Sequence, residues 1–273
     1  MRKKRGSVLR KGMFLCFWLI FFAMHAENTT VVLCATSEMG QQVVETISER
    51  KKEILCLGRN EESLNQLKEK YDCNILQIDL KDLKSLEKIE LYFQKQNKKA
   101  DGLVLITPRP SLNRRIFYSE KEWQEMFEIC FLRPLEVIHL MLPYFDYNSQ
   151  IVILSGLTSV QAMPEYLAYG VLRKMWLAQA KSFATQLGEY HIGVNTVSPG
   201  VVKTKSHLKN WKKEAEKLNI PLKEYLNDLE KTYPSNKLVT PLDVAEAIDF
   251  FLQGKANITG QNLVVDGGKS NIY

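Results

Sequence analysis

Short apolar runs alternate with segments of helical period along nearly the whole chain, and this alternation constrains the fold more than any other feature. The runs 30–35, 53–58, 73–78, 102–107, 150–154, 192–197 and 262–265 are almost continuously apolar, as strands are when helices cover both faces of a parallel sheet. Between them, 40–49, 61–71, 83–96, 119–144, 166–190 and 242–253 read as helices. The 166–190 segment places Trp176, Ala180, Phe183, Ala184 and Leu187 at helical spacing. Successive βαβ units of this kind predict an α/β fold with one doubly wound parallel sheet in a three-layer α/β/α arrangement. Residues 203–238 interrupt the pattern as a polar, lysine-rich insert. Leu208, Trp211, Ala215 and Leu218 predict an amphipathic helix within it, either a solvated face or a lid over a pocket at the carboxyl ends of the strands.

Charge narrows the partners. The formal net charge is +6, but six of the 37 lysines and arginines lie in residues 1–12, which hold no acid; the remaining 31 match the 31 acidic residues. A near-neutral domain lacks the basic face that nucleic acid requires. The basic start runs into the apolar stretch Met13–Ala26, so 1–27 reads as a leader and 28–273 as one domain carrying the insert. Three readings of the leader stand: an export signal, cleaved or not; a membrane-touching extension or misjudged start of a cytosolic protein; and an uncleaved anchor. The five cysteines, at 16, 34, 56, 73 and 130, have no metal-ligand spacing. Without a pairing pattern they read as core residues in a reducing compartment, which sits uneasily with an export leader.

The segment Ile192-Gly-Val-Asn-Thr-Val-Ser-Pro-Gly200 followed by Thr204, then Thr240–Ile248 and Ile258–Gly268, resembles the closing elements of short-chain dehydrogenases/reductases. The resemblance covers residues 29–270 and implies a Rossmann-type fold, hydride transfer between a nicotinamide cofactor and a carbonyl or alcohol, and a homodimer or homotetramer paired through the two long helices.

It also implies a cofactor site, with departures. The family's glycine-rich turn corresponds to Cys34–Gly40, where Cys34 and Glu38 replace two of three glycines and Gly40 keeps the third. A Glu38 carboxylate ~4 Å from a pyrophosphate charge would be repelled by about 4 kcal/mol at an intermediate dielectric. Thr36 and Ser37 offer hydroxyls and N–H groups. Arg59, just after the 53–58 run, matches the reader of the NADP 2′-phosphate, which sets NADP(H) ahead of NAD(H). Asp79 matches the adenine-side aspartate. Thr107 stands at the end of the 102–107 run, where the family's Asn-Asn-Ala-Gly is absent. Pro199, Gly200, Val202 and Thr204 match the loop that meets the nicotinamide end.

The catalytic positions depart further. Tyr169 corresponds to the family's acid/base tyrosine. Arg173 stands four residues on, on the same helix face, where lysine is usual. Lys174 lies about 140° around the helix from Tyr169 and is no substitute. Gly156 occupies the serine position, so the hydroxyl that holds the substrate oxygen is expected from Ser155 or from Thr158, with Ser159 a further candidate in that loop. Cys130 replaces the supporting asparagine. Tyr166 lacks a cation at the right spacing, and the isolated His139 and His191 receive no role.

Three functional readings follow: an atypical NAD(P)-dependent oxidoreductase for a small carbonyl or alcohol; a non-catalytic descendant that binds a nucleotide or protein partner; and a tethered or exported domain with another ligand in the crevice, in contact with a membrane through the leader.

Overall fold

The computed structural model describes residues 28–109, 115, 117–163, 166–254 and 257–271; the leader lies outside them. Among the described residues, seven parallel strands run in the order β3-β2-β1-β4-β5-β6-β7. They are β1 (Thr29–Leu33), β2 (Glu53–Gly58), β3 (Asn74–Gln77), β4 (Ala100–Ile106), β5 (Phe145–Leu154), β6 (Gly193–Pro199) and β7 (Asn262–Val265). Strand order reverses between β1 and β4, and the crevice at their carboxyl ends is where α/β sheets of this kind take ligands.

Alternate strand residues feed two cores, one per sheet face. Val31, Leu33, Leu103 and Leu105 pack with α3 (Leu83–Gln96), α5 (Arg133–Met141) and α6 (Leu167–Leu187). Val32, Cys56 and Val104 pack with α1 (Glu38–Ser48), α2 (Glu61–Tyr71) and α9 (Pro241–Leu252). This is the predicted Rossmann-type three-layer sandwich. No helix of the described residues is long and apolar enough to cross a membrane.

Three segments differ from the sequence expectation. The helix expected over 119–144 is broken into α4 (Glu120–Phe127), a π-helical turn (Glu128–Leu132), α5 and a 3-10 turn (Leu142–Tyr144). The cause is Pro134: without an N–H it cannot serve the carbonyl of Cys130 four residues back, and that carbonyl instead accepts Trp176 Nε1 at 2.8 Å. Strand β5 begins earlier than expected, at Phe145 opposite Ala100. Regular pairing resumes only at Gln150 opposite Gly102, with Asn148 between them at φ 65°. The insert holds two helices, α7 (Lys205–Lys217) and α8 (Leu222–Lys231), which share a small core of Trp211, Tyr233 and Leu238.

Candidate active site

A crevice of about 490 Å³ opens at the switch point between the β1–α1 turn, the ends of β4, β5 and β6, and α7. It brings together Ser37, Thr107, Pro199, Gly200, Val202 and Thr204 from the expected cofactor residues, and Tyr169, Arg173, Ser155 and Thr158 from the expected catalytic ones. Thr36, Gly40, Arg59 and Asp79 are not part of this wall.

The β1–α1 turn keeps its tight form without two of its glycines. Cys34 takes φ 57°, a left-handed conformation that costs a residue with a Cβ about 1–2 kcal/mol. Burial pushes its thiol up to about 12, against the opposing charge of Arg59. Gly40 is obligatory: a Cβ there would lie 2.4 Å from the Cys34 carbonyl oxygen. Ser37 caps α1, its hydroxyl accepting the Gly40 N–H at 3.0 Å and its carbonyl the Gln41 N–H at 2.8 Å. The N–H groups of Glu38 and Met39 have no acceptor among the described residues, as at a helix N-terminus that can take an anion. Thr36 instead turns its side chain against Gly58.

Glu38 does not point away from the crevice. Both its carboxylate oxygens accept the N–H of Lys205 at 2.9 Å, so it caps α7. Thr204 is the N-cap residue of the same helix, accepting the His207 N–H. At the adenosine end, Arg59 is exposed beyond Gly58. Asp79 accepts the Lys81 N–H at 3.0 Å, and its own N–H donates to Ser85 Oγ at 2.7 Å.

On the opposite wall, Tyr169 and Arg173 meet as their spacing requires. Arg173 Nη2 donates to the Tyr169 hydroxyl at 3.1 Å, and the guanidinium lies 4.0 Å from the ring centroid. Nη1 donates to Thr158 Oγ1 at 3.1 Å. Nε is buried with no partner among the described residues. A Cβ on Gly156 would stand 2.1 Å from Nη1 and 2.5 Å from Cζ. Gly156 itself is extended, with φ 166°, so glycine is there for space: the guanidinium fills the volume a serine side chain would need. Ser155 lines the crevice but its hydroxyl donates to the Arg173 carbonyl at 3.3 Å, and Ser159 donates to the Gly156 carbonyl at 2.7 Å. Of the three hydroxyls expected here, Thr158 is the one joined to the tyrosine–arginine pair.

Cys130 lies in the π turn with its thiol on the Pro108 carbonyl at 3.3 Å. Burial pushes it up to about 11, opposed by Arg173. Tyr166 lines the crevice under the Arg109 guanidinium, 5.7 Å from its centroid. Lys174 and His139 are exposed, and His191 stacks on Tyr147 away from the crevice. Sequence reasoning missed His207, which α7 brings into the wall. Its one available signal was its place three residues after Thr204, in the first turn of a helix that opens at the crevice.

A doubly wound sheet with a switch-point crevice, a helix N-terminus over it and a tyrosine–cation pair on its wall defines the class: a Rossmann-type protein of the dehydrogenase kind. The chain belongs to the short-chain dehydrogenase/reductase family of oxidoreductases; a family model described as Enoyl-(Acyl carrier protein) reductase matches residues 28–270. It is 26% identical over 247 residues to a 2,3-dihydro-2,3-dihydroxybenzoate dehydrogenase of Bacillus subtilis (strain 168), covering 86% of this chain and 92% of that protein. It is 24% identical over 249 residues to an NAD-dependent glycerol dehydrogenase of Listeria innocua, covering 89% and 93% respectively. In fold it is similar to the NADPH-bound structure of a short chain oxidoreductase from Pseudomonas aeruginosa PAO1 containing an atypical catalytic center. The TM-score is 0.80 at 20% identity, covering 91% of this chain and 98% of that one.

Proposed function

We propose that the protein is an atypical NADP(H)-preferring oxidoreductase for a small carbonyl or alcohol substrate. The observation that carries this is the Gly156–Arg173 exchange. Both positions depart from the family pattern, and the Arg173 side chain fills the space a side chain at 156 would need while remaining on the tyrosine hydroxyl. Unrelated decay at the two positions gives no reason for such a fit.

Tyr169 is the acid/base. Its hydroxyl oxygen, held by Arg173 Nη2, is where a proton is given up and regained. Thr158, held on the same guanidinium, supports the substrate oxygen in place of Ser155. The free N–H groups of Glu38 and Met39 fit a pyrophosphate, and Arg59 fits a 2′-phosphate. The dinucleotide, when bound, supplies or accepts the hydride. A relative of this fold carries NADPH whereas the Listeria relative is NAD-dependent, so the preference for NADP(H) rests on Arg59. A homodimer or homotetramer belongs to the same reading; membrane contact through the leader belongs to the tethered alternative.

A second reading has its own observation: the Glu38 carboxylate spans to α7 inside the crevice, where a pyrophosphate would approach. In that case the chain is a non-catalytic descendant. Calorimetric titration of the full chain with NADPH and NADH, with Glu38→Gly alongside, separates the two. Binding of NADPH to the unmodified protein, tighter than NADH, supports the enzyme, and Tyr169→Phe is then expected to lower turnover about 10²–10⁴-fold in a carbonyl screen. Binding only after Glu38 is replaced supports the descendant, and unchanged turnover in Tyr169→Phe sinks the catalytic assignment.

A further inference from the structure

His207 is a ring held in a fixed pose on the crevice wall, and neither the tyrosine–arginine pair nor the phosphate donors use it. Its Nδ1 lies 2.7 Å from the Val202 carbonyl oxygen. A carbonyl only accepts, so Nδ1 carries the proton. The ring is stacked on Trp211, with centroids 5.7 Å apart and planes at 22°. The bond fixes the tautomer and the stacking fixes the plane. Nε2, on the opposite edge, then bears a lone pair and has no partner among the described residues. Burial holds the imidazole below its usual value; the Val202 carbonyl and Glu38 oppose this and Arg109 adds to it. The ring is therefore neutral near pH 7.

A neutral, oriented Nε2 is an acceptor and nothing else. A substrate carbonyl oxygen or a carboxylate would meet it lone pair to lone pair; a hydroxyl would not. The same crevice holds Tyr169, Arg173 and Thr158, with Leu157, Met163 and Tyr166 adding apolar surface. A ligand reaching from the tyrosine to α7 thus meets donors for an oxygen, then apolar wall, then the His207 acceptor, with the Glu38 carboxylate already engaged on the Lys205 N–H.

We propose that His207 is a specificity residue whose Nε2 accepts a hydrogen bond from a non-reacting hydroxyl of the substrate, so that the crevice selects hydroxylated carbonyl compounds over their deoxy parents. The carbonyl part of this statement rests on the oxidoreductase reading above; the hydroxyl part rests on His207 alone.

The test uses the full chain with NADPH and matched pairs of cyclic hydroxyketones and their parent ketones, with the hydroxyl at increasing distance from the carbonyl. Binding is read by calorimetry and turnover by NADPH absorbance. For at least one pair the hydroxyketone is expected to bind about tenfold tighter, the worth of one hydrogen bond. His207→Asn keeps a donor toward Val202 but is too short to present an acceptor to the crevice, and is expected to bring the pair to parity. His207→Gln extends an acceptor oxygen to about the Nε2 position and is expected to restore the preference. The ratio within a pair cancels any effect of these variants on folding or cofactor affinity, which a purely structural histidine would alter without changing the ratio. A wild-type ratio near one, a preference that survives in His207→Asn, or no binding of any pair overturns the proposal. A binding preference with no NADPH oxidation leaves His207 standing and overturns the oxidoreductase reading; turnover without preference does the reverse.

Discussion

At the scale of single residues, the site is defined by one exchange of volume for charge. Gly156→Ser puts a Cβ where Nη1 now sits, so the guanidinium must leave Tyr169 or the strand end must shift. Overpacking of this kind costs about 1–3 kcal/mol, and turnover is expected to fall with it. Arg173→Lys alone opens a void beside Gly156 and gives up the bond to Thr158. The double variant Gly156→Ser with Arg173→Lys relieves both faults. Urea denaturation and turnover of the four proteins are expected to give a coupling of about 1 kcal/mol or more, with the double variant better than either single one; additive losses would show that the two positions do not compensate. The sequence made both departures visible, because each breaks a known spacing. It could not reveal that one fills the other, since contact between a strand end and a helix side chain has no linear signature. Ser155 reads from the sequence as a substrate-holding residue for the same reason: only the fold shows its hydroxyl donating to the Arg173 carbonyl.

Elements show the same division between what is local and what is not. The strands were legible because burial on both sheet faces leaves a run of apolar residues that few other structures produce. The π turn was not, although Pro134 was its signal, because a proline early in a helix and a proline that interrupts one look alike without the partner that takes the freed carbonyl. That partner is Trp176, and the bond ties α6 to the turn before α5. Trp176→Phe keeps the aromatic contact with Phe131 but strands a buried carbonyl, and is expected to lower unfolding stability by about 1–3 kcal/mol in urea; no loss would mean that another donor reaches the carbonyl. A second link joins the insert to the C-terminal turn. Burial would raise the Asp266 carboxyl, but hydrogen bonds from the Ser270 hydroxyl and the N–H groups of Ser270, Gly268 and Lys269 outweigh it and hold the group below its ordinary value. Lys269 in turn donates to the Thr232 carbonyl at 2.8 Å. A depressed carboxyl contributes stability that is present above its unfolded value of about 3.9 and is lost as pH falls through the lower folded value. Amide exchange over 266–271 is therefore expected to quicken in that acidic range before the sheet opens. In Asp266→Asn it should already be quick at neutral pH, whereas protection indifferent to both changes would remove the carboxylate from the account.

On the scale of the whole molecule, the helix that carries Tyr169 and Arg173 also carries exposed apolar residues. Leu167 and Val171 lie one turn apart on α6 with 46% and 52% of their surface exposed, and Leu132 on the π turn is 41% exposed. The other sides of these helices are committed, Trp176 and Ala180 to the sheet and Phe131 to Trp176. Exposed apolar residues at helical spacing fit a self-complementary face, on which a two-fold axis sets each patch against its copy. Pairing there would buttress α6 from outside, and Tyr169 and Arg173 stand on that helix. Light scattering of the full chain is expected to give at least twice the 31.5 kDa chain mass, and Val171→Glu, which would bury like charges across the axis, to give the single chain mass with slower turnover. A single chain mass in the unmodified protein would rule out pairing and leave α6 held by the sheet alone. A pair that survives Val171→Glu would move the contact to another face.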